Sequence, residues 1–118
     1  VQAQRFDAVR SLAERFGGVI VLKGAGTLIA KSGGRDVWLC DAGNPGMASG
    51  GMGDVLTGII AALLAQGLSR LDAARLGVWL HATAADDAVR ENGEIGLLAS
   101  DLLPLVRMRL NRLSIHGA

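Results

Sequence analysis

The stretch DAGNPGMASGGMGDVLTG, residues 41–58, is followed by an apolar run that ends at Gly67. Three of its glycines, Gly50, Gly51 and Gly53, stand directly before one acid, Asp54. Glycine has no Cβ to shield an outward-facing N–H group. The apolar residues after Asp54 predict a buried helix, whose first N–H groups and dipole favour an anion. We therefore predict that Gly50–Gly53 bind a phosphate.

Asp54 has two interpretations, because a carboxylate beside a bound phosphate repels it. In the structural interpretation it caps the helix or complements the helix dipole. In the catalytic interpretation it is a general base that takes a proton from a hydroxyl as that hydroxyl attacks phosphorus. The spacing of the residues leaves both open, and the two roles are compatible.

The composition describes one small domain with a hydrophobic core. The chain has 118 residues, of which 50% are hydrophobic, and its formal net charge is +1. Neither nucleic acid nor an acidic membrane surface is an expected partner at that charge. Cys40 is the single cysteine, which excludes an internal disulfide and favours a reducing compartment. No apolar run reaches the ~18–20 residues of a membrane span, so we expect a cytoplasmic protein.

The chain before the glycine-rich stretch predicts a helix and a strand. Apolar residues recur at spacings of three and four over residues 4–16, and Gly17 and Gly18 end this pattern. Residues 19–22 are a continuous β-branched run, typical of strands that are covered on both faces in parallel sheets. Helix, turn and strand together indicate half of an α/β unit.

A second glycine cluster, Lys23–Thr27, follows the carboxyl end of that strand, where ligands bind in open α/β sheets. Lys23 and Thr27 are candidates to bind a phosphate or a nucleotide edge. The alternative is a glycine-rich β-turn with a solvated lysine. Residues 27–31 and 36–40 predict two more strands joined as a hairpin. Because the second leads into Asp41, we expect both glycine clusters on one rim of the sheet.

Two common phosphate-binding motifs are absent. No G-x-x-x-x-G-K-[ST] occurs, because Ala30 precedes the one Lys-Ser pair, and no glycines satisfy G-x-G-x-x-G. The sequence therefore disfavours a P-loop and a dinucleotide fingerprint.

Two helices are predicted after the stretch, over residues 71–90 and 101–113. His81 lies in the first, and we expect a core or supporting role for it. Asp86 and Asp87 are adjacent and point in different directions on a helix, so they are not a paired acid and base. The second helix is predicted to have Ser100 as its N-cap and a solvated face formed by Arg107, Arg109 and Arg112.

Four segments of the chain together closely resemble the carboxyl-terminal part of the ADP-dependent NAD(P)H-hydrate dehydratases, which belong to the ribokinase-like superfamily. The segments are LKGAGT (22–27), GNPGMASGGMGDVLTG (43–58), His81 with residues 84–88, and GLLASDL (96–102). The resemblance implies an α/β fold of the ribokinase-like three-layer α/β/α type. It also implies that residues 1–118 are the carboxyl-terminal portion of the dehydratase domain, which is more than twice this length.

The resemblance further implies a nucleotide-repair reaction. ADP phosphorylates the ring hydroxyl of NAD(P)H hydrate, and elimination of phosphate restores NAD(P)H. Asp54 is then the base on the hydrate's hydroxyl, and Mg²⁺ is held by the nucleotide and water, with no protein metal ligands. The implied nucleotide-binding residues are Lys23, Gly24, Ala25, Gly26, Thr27, Asn44, Gly50, Gly51, Met52 and Gly53.

Several expectations about the wider protein come from the same resemblance. An epimerase domain is expected upstream on the same chain, and a homo-oligomer is expected for the complete protein. The isolated 118 residues are expected to be inactive. Two other functions stay open: another ribokinase-like small-molecule kinase, which keeps its phosphorylated product, and a non-catalytic nucleotide-binding module.

Overall fold

The computed structural model describes residues 2–117, with the side chains of residues 3–114. Four α-helices and three strands follow one another in the order α1, β1, β2, β3, α2, α3, α4, with short 3-10 helices before α2 and α4. Their bounds are Gln2–Phe16 (α1), Val19–Leu22 (β1), Thr27–Lys31 (β2), Val37–Cys40 (β3), Met52–Ala65 (α2), Arg70–Asn92 (α3) and Leu102–Gly117 (α4), and the 3-10 helices are Pro45–Ala48 and Ala99–Asp101. The predicted helices and strands are confirmed to within a few residues at each end.

The three strands form one antiparallel sheet in the order β1-β2-β3. Leu22 pairs with Leu28 across the first hairpin, and Thr27 pairs with Cys40 across the second. The expectation of parallel pairing for β1 is therefore wrong among the described strands. Only four residues connect β1 to β2, whereas a parallel connection requires a crossover of about a dozen residues.

Helices cover both faces of the sheet, because successive side chains of a strand point to opposite faces. Leu28 and Ala30 of β2 pack against Val9 and Ala13 of α1. Ile29, between them, faces the other side, where its cluster contains residues of α2 and α3: Leu56, Ala74 and Val78. The predicted three-layer α/β/α arrangement is confirmed. Alternate residues of β1 also join the two clusters, as expected for a strand covered on both faces.

The approach to α4 corrects one sequence-based expectation. Ser100 lies inside the preceding 3-10 helix, and it is Asp101 that accepts a hydrogen bond from the Leu98 N–H, at 2.9 Å. Ser100 is therefore not the N-cap residue that the sequence predicted, because the chain makes a turn of 3-10 helix, with Leu98 as its N-cap residue, before α4 begins.

The arginines of α4 correct a second expectation. Arg107 and Arg112 are exposed as predicted, whereas Arg109 is not on the solvated face. Its guanidinium binds Asp87 of α3, with Nε 2.7 Å from Oδ2, and stacks on Trp79 at 5.2 Å from the ring centroid. Arg109 therefore connects α4 to α3.

No helix among residues 2–117 has the length and apolarity needed to cross a membrane.

Candidate functional site

Both glycine clusters lie on one rim of the sheet. Because β1 and β3 are each antiparallel to β2, they run in the same direction, and their carboxyl ends lie at the same edge. The turn 23–27 leaves β1 at this edge, and the glycine-rich loop 41–51 leaves β3 there. The expectation that the two clusters converge is confirmed by this register.

The amino terminus of α2 opens at this rim without a side-chain cap. Gly51 is the N-cap residue, in the left-handed conformation with φ 86° and ψ −6°, which a residue with a Cβ rarely adopts. The helix begins with the hydrogen bond from the Val55 N–H to the Gly51 carbonyl, at 3.0 Å. The N–H groups of the first turn are thus left for another partner, and the positive end of the helix dipole lies beside them.

Lys23 stands next to this helix terminus. A Cβ built on Gly53 would lie 4.0 Å from the Lys23 Nζ, so the ammonium group of one cluster borders the backbone of the other. Both residues are exposed, and Gly53 presents no side chain between them. An ammonium group, free N–H groups and a helix dipole together form a positively polarised place that suits a phosphate.

Asp54 is the third residue of α2 and is exposed to solvent. Its carboxylate makes no cap to the helix it stands on, so of the structural interpretation only the dipole contribution remains. The same exposure leaves the carboxylate accessible to a substrate hydroxyl, which a general base requires. Burial of Asp54 would exclude catalysis, but the buried residue in this turn of α2 is Met52, which is only 3% exposed.

Asn44 and Asp86 hold the beginning of the glycine-rich loop. Asp86 accepts hydrogen bonds from the Gly43 N–H at 3.0 Å and from the Asn44 Nδ2 at 2.8 Å. The Asn44 Oδ1 accepts in turn from the Gly46 N–H at 3.0 Å and so caps the 3-10 helix. Both ends of the Asn44 amide are therefore bonded within the protein, and its contact with a nucleotide stays a prediction.

His81 lies beneath the other end of the loop. Its side chain is 2% exposed, which agrees with the expected core or supporting role, and its Nε2 has no hydrogen-bond partner among the described residues. Burial lowers the pKa of His81, and the charge of Lys23 lowers it further, whereas a hydrogen bond with the backbone of Met52 raises it. The neutral imidazole is thus favoured under the start of α2.

The turn between β1 and β2 presents its first three residues to solvent, namely Lys23, Gly24 and Ala25. Gly26 has φ +78°, which explains a glycine at that position. Thr27 is half-buried because it begins β2. The nucleotide contacts assigned to these five residues stay predictions.

Sequence reasoning missed two charged residues that hold the loops. Asp86 lies 42 positions from Asn44, and Arg5 of α1 donates to the turn 23–27 from 20 and 21 positions away. Neither has a periodicity or a motif that names its partner. The local sequence shows only that a charged residue lies on a helix. The packing of that helix determines which residue the charged side chain contacts.

The described residues contain no group of three His, Cys, Asp or Glu side chains that would hold a metal ion.

Comparison with known proteins finds one family that matches this chain over most of its length. Residues 1–107 match the family model described as NAD(P)H-hydrate dehydratase. A curated relative, the bifunctional NAD(P)H-hydrate repair enzyme Nnr of Vibrio cholerae, is 61% identical over 111 residues, which are 94% of this chain and 22% of the relative. The ADP-dependent (S)-NAD(P)H-hydrate dehydratase of Neisseria meningitidis is 46% identical, over 97% of this chain and 38% of the relative.

A solved structure shares the fold. The ADP/ATP-dependent NAD(P)H-hydrate dehydratase of Bacillus subtilis, co-crystallised with ATP and Mg²⁺, superposes with a TM-score of 0.86 at 35% identity. The match covers 94% of this chain and 40% of that one. This chain therefore spans less than half the length of each of these three relatives.

Proposed function

Because this chain belongs to the NAD(P)H-hydrate dehydratase family, we propose that its protein uses ADP to remove water from NAD(P)H hydrate and so restores NAD(P)H. The names of the relatives from Neisseria and Bacillus support the reaction and the nucleotide. The observation that carries the proposal for this chain is the meeting of Lys23, the uncapped amino terminus of α2 and an exposed Asp54 at one rim.

The first step is phosphoryl transfer to the ring hydroxyl of the hydrate. The backbone N–H groups of Gly50–Gly53 and the Lys23 ammonium group bind the migrating phosphoryl group. They stabilise the charge that develops on its oxygens. Asp54 accepts the hydroxyl proton as the oxygen attacks phosphorus, and AMP leaves. Mg²⁺, when bound to the nucleotide, neutralises further phosphate charge.

The second step is elimination. The bond between the ring carbon and the phosphate oxygen breaks, inorganic phosphate leaves, and the neighbouring ring carbon loses a proton to water, which completes the double bond of the dihydronicotinamide. The residues 23–27 contribute by holding the adenine nucleotide. Lys23 borders Gly53, the residue before Asp54, and its positive charge offsets part of the repulsion between the phosphate and the carboxylate.

Replacing Asp54 with Asn in the complete protein tests the general base. We expect Asp54→Asn to lower the rate of ADP-driven dehydration by about two to four powers of ten, because the amide cannot accept the proton. The measurement is the return of absorbance in the reduced-nicotinamide band after ADP is mixed with NADPH hydrate. Binding of ADP, measured by isothermal titration calorimetry, is expected to persist.

Asp72 provides the matched control. It is an exposed acid in the first turn of α3, where it stands in the same relation to a helix dipole as Asp54 does in α2. Asp72→Asn is expected to leave the rate within about threefold, since surface substitutions of this kind change little. Equal rates for the wild type and Asp54→Asn would show that Asp54 serves only the helix dipole.

The same assay separates dehydration from kinase chemistry. A small-molecule kinase would release a phosphorylated product and no reduced nicotinamide, and a nucleotide-binding module would give neither. The homo-oligomer and the upstream epimerase expected for the complete protein stay predictions. The bifunctional name of the Vibrio relative supports a second activity on the same chain.

A further inference from the structure

Arg5 of α1 contacts the turn that joins β1 to β2. Its Nη1 donates to the Ala25 carbonyl at 2.8 Å, and its Nη2 donates to the Gly26 carbonyl at 2.8 Å. Helix α1 is seated on the sheet by Val9 and Ala13, one and two turns further along the same face. This packing sets the distance at which the guanidinium group reaches the rim.

The guanidinium group fixes the orientation of two successive peptide planes. It is planar, and its N–H donors have a rigid geometry, so two adjacent carbonyls bonded to it cannot rotate independently. In a trans peptide the N–H points opposite to the carbonyl. Holding the carbonyls of Ala25 and Gly26 toward Arg5 therefore turns the N–H groups of Gly26 and Thr27 away from α1.

The glycines of the turn are matched to this contact. A Cβ built on Gly24 would lie 2.8 Å from the Arg5 Nη2, closer than real Cβ contacts, so the guanidinium group occupies the space that a side chain would fill. Gly26 has the positive φ that the turn requires. The spacing Gly24-Ala25-Gly26 thus gives one glycine to the approach of Arg5 and one to the backbone conformation.

We propose that Arg5 is a positioning residue for nucleotide binding, which sets the conformation of the turn 23–27 without touching the reacting atoms. The proposal rests on the proposed function, in which this turn holds the adenine nucleotide.

Arg10 offers a matched control on the same helix. Arg10 is exposed whereas Arg5 is half-buried, and like Arg5 it donates to a backbone carbonyl, that of Arg35, at 3.1 Å. Its partner lies at the opposite end of β2 from the turn 23–27, next to the hairpin between β2 and β3. A general effect of losing an arginine from α1 would appear equally in both variants.

The experiment compares Arg5→Ala, Arg5→Lys and Arg10→Ala in the complete protein. The Kd for ADP is measured by isothermal titration calorimetry, and KM for ADP and kcat are measured in the dehydration assay. We expect Arg5→Ala to raise Kd and KM about tenfold, with kcat within about twofold, because uniform binding is lost and the transition-state contacts are kept. Arg5→Lys is expected to recover part of the loss, since an ammonium group replaces the charge but not the paired donors. Arg10→Ala is expected to match the wild type.

Three results would overturn the proposal while leaving the proposed function in place. These are unchanged ADP binding in both Arg5 variants, an equal loss in Arg10→Ala, and a fall in kcat with KM unchanged. Thermal unfolding checks that the variants are folded, and Arg5→Lys decides the outcome if Arg5→Ala does not fold. A wild-type protein that neither binds ADP nor dehydrates the hydrate would overturn the proposed function, and this inference with it.

Discussion

Asp86 and Asp87 are neighbours on α3, yet they stabilise different parts of the molecule. Asp86 accepts two hydrogen bonds from the start of the glycine-rich loop. Asp87 points toward α4, where Arg109 binds it, and Arg90 on its own helix binds it as well. The hydrogen bond from Arg109 is the main reason that the pKa of Asp87 lies below its ordinary value. The two residues are therefore a matched pair: they have the same side chain and adjacent positions, and they differ only in their partners.

Replacing each of these carboxylates with alanine is expected to separate loop positioning from helix pairing. In Asp86→Ala the Gly43 N–H and the Asn44 amide lose their acceptor, and the loop that leads to Gly50–Gly53 is released. We expect kcat/KM for dehydration to fall by about tenfold to a hundredfold, because misplacement by an ångström can cost that much.

The control for this pair is Asp87→Ala. It removes the ion pair with Arg109, whose side chain is 21% exposed, so we expect a loss of about 1 kcal/mol in the free energy of unfolding. The change in kcat/KM is expected to stay below about threefold. Steady-state kinetics and urea denaturation of both variants give the comparison, and an equal kinetic loss in the two would contradict it.

At the scale of elements, the packing of α2 on α3 places the anion-binding terminus. Gly77 of α3 allows a close approach, because a Cβ there would lie 2.6 Å from the Ile60 Cγ1 of α2. His81 of the same helix lies one turn further along, and its imidazole meets the backbone of Met52 at the start of α2. The separation of the two helices therefore determines where the amino terminus of α2 lies relative to α3.

Gly77→Ala is expected to destabilise the protein, whereas Gly58→Ala is expected to stabilise it. The added methyl group at Gly77 overpacks the contact with Ile60, at a cost of about 1–3 kcal/mol in the free energy of unfolding. A Cβ at Gly58 meets nothing within 4 Å, and this glycine lies inside α2. Replacing a glycine by alanine in a helix interior gains about 0.5–1 kcal/mol. Urea denaturation followed by circular dichroism measures both, and a stabilised Gly77→Ala would refute the close-packing argument.

At the scale of the whole molecule, the chain contains the rim and matches only part of the length of each relative. It covers 22% of the Vibrio relative and 40% of the Bacillus structure. The sheet has three described strands, with β1 and β3 at its two edges. Unpaired edges of a sheet invite pairing with further strands, so a small sheet of this kind gains stability from additional chain.

The isolated 118 residues are expected to bind ADP weakly and to give no turnover. Lys23 and the α2 terminus are present, whereas the part of the relatives that lies outside the match is missing. The measurement compares the isolated chain with the complete protein in ADP titration and in the dehydration assay. Dehydration of NADPH hydrate by the isolated chain would contradict the expectation.

The local sequence by itself determined where elements begin and end. Gly17 ends α1 and has φ +74°, and the hairpin between β2 and β3 forms around its glycines as predicted. The β-branched run of β1 predicted a strand that is covered on both faces, and the apolar run after Asp54 predicted α2. These features follow from residues within about ten positions of one another, because turn conformation and side-chain periodicity are local properties.

Tertiary structure alone decided which charged residues contact distant parts of the chain. It brought Arg5 to the turn 23–27, joined Asp86 to Asn44, and turned Arg109 from a solvated face to Asp87. The side-chain contacts among these span 21 to 42 positions of the chain. Charged residues at such separations have many possible partners, and the packing of helices on the sheet selects one of them. The sequence predicted the glycine-rich surface that suits a phosphate, and the fold supplied the charged residues that hold it in place.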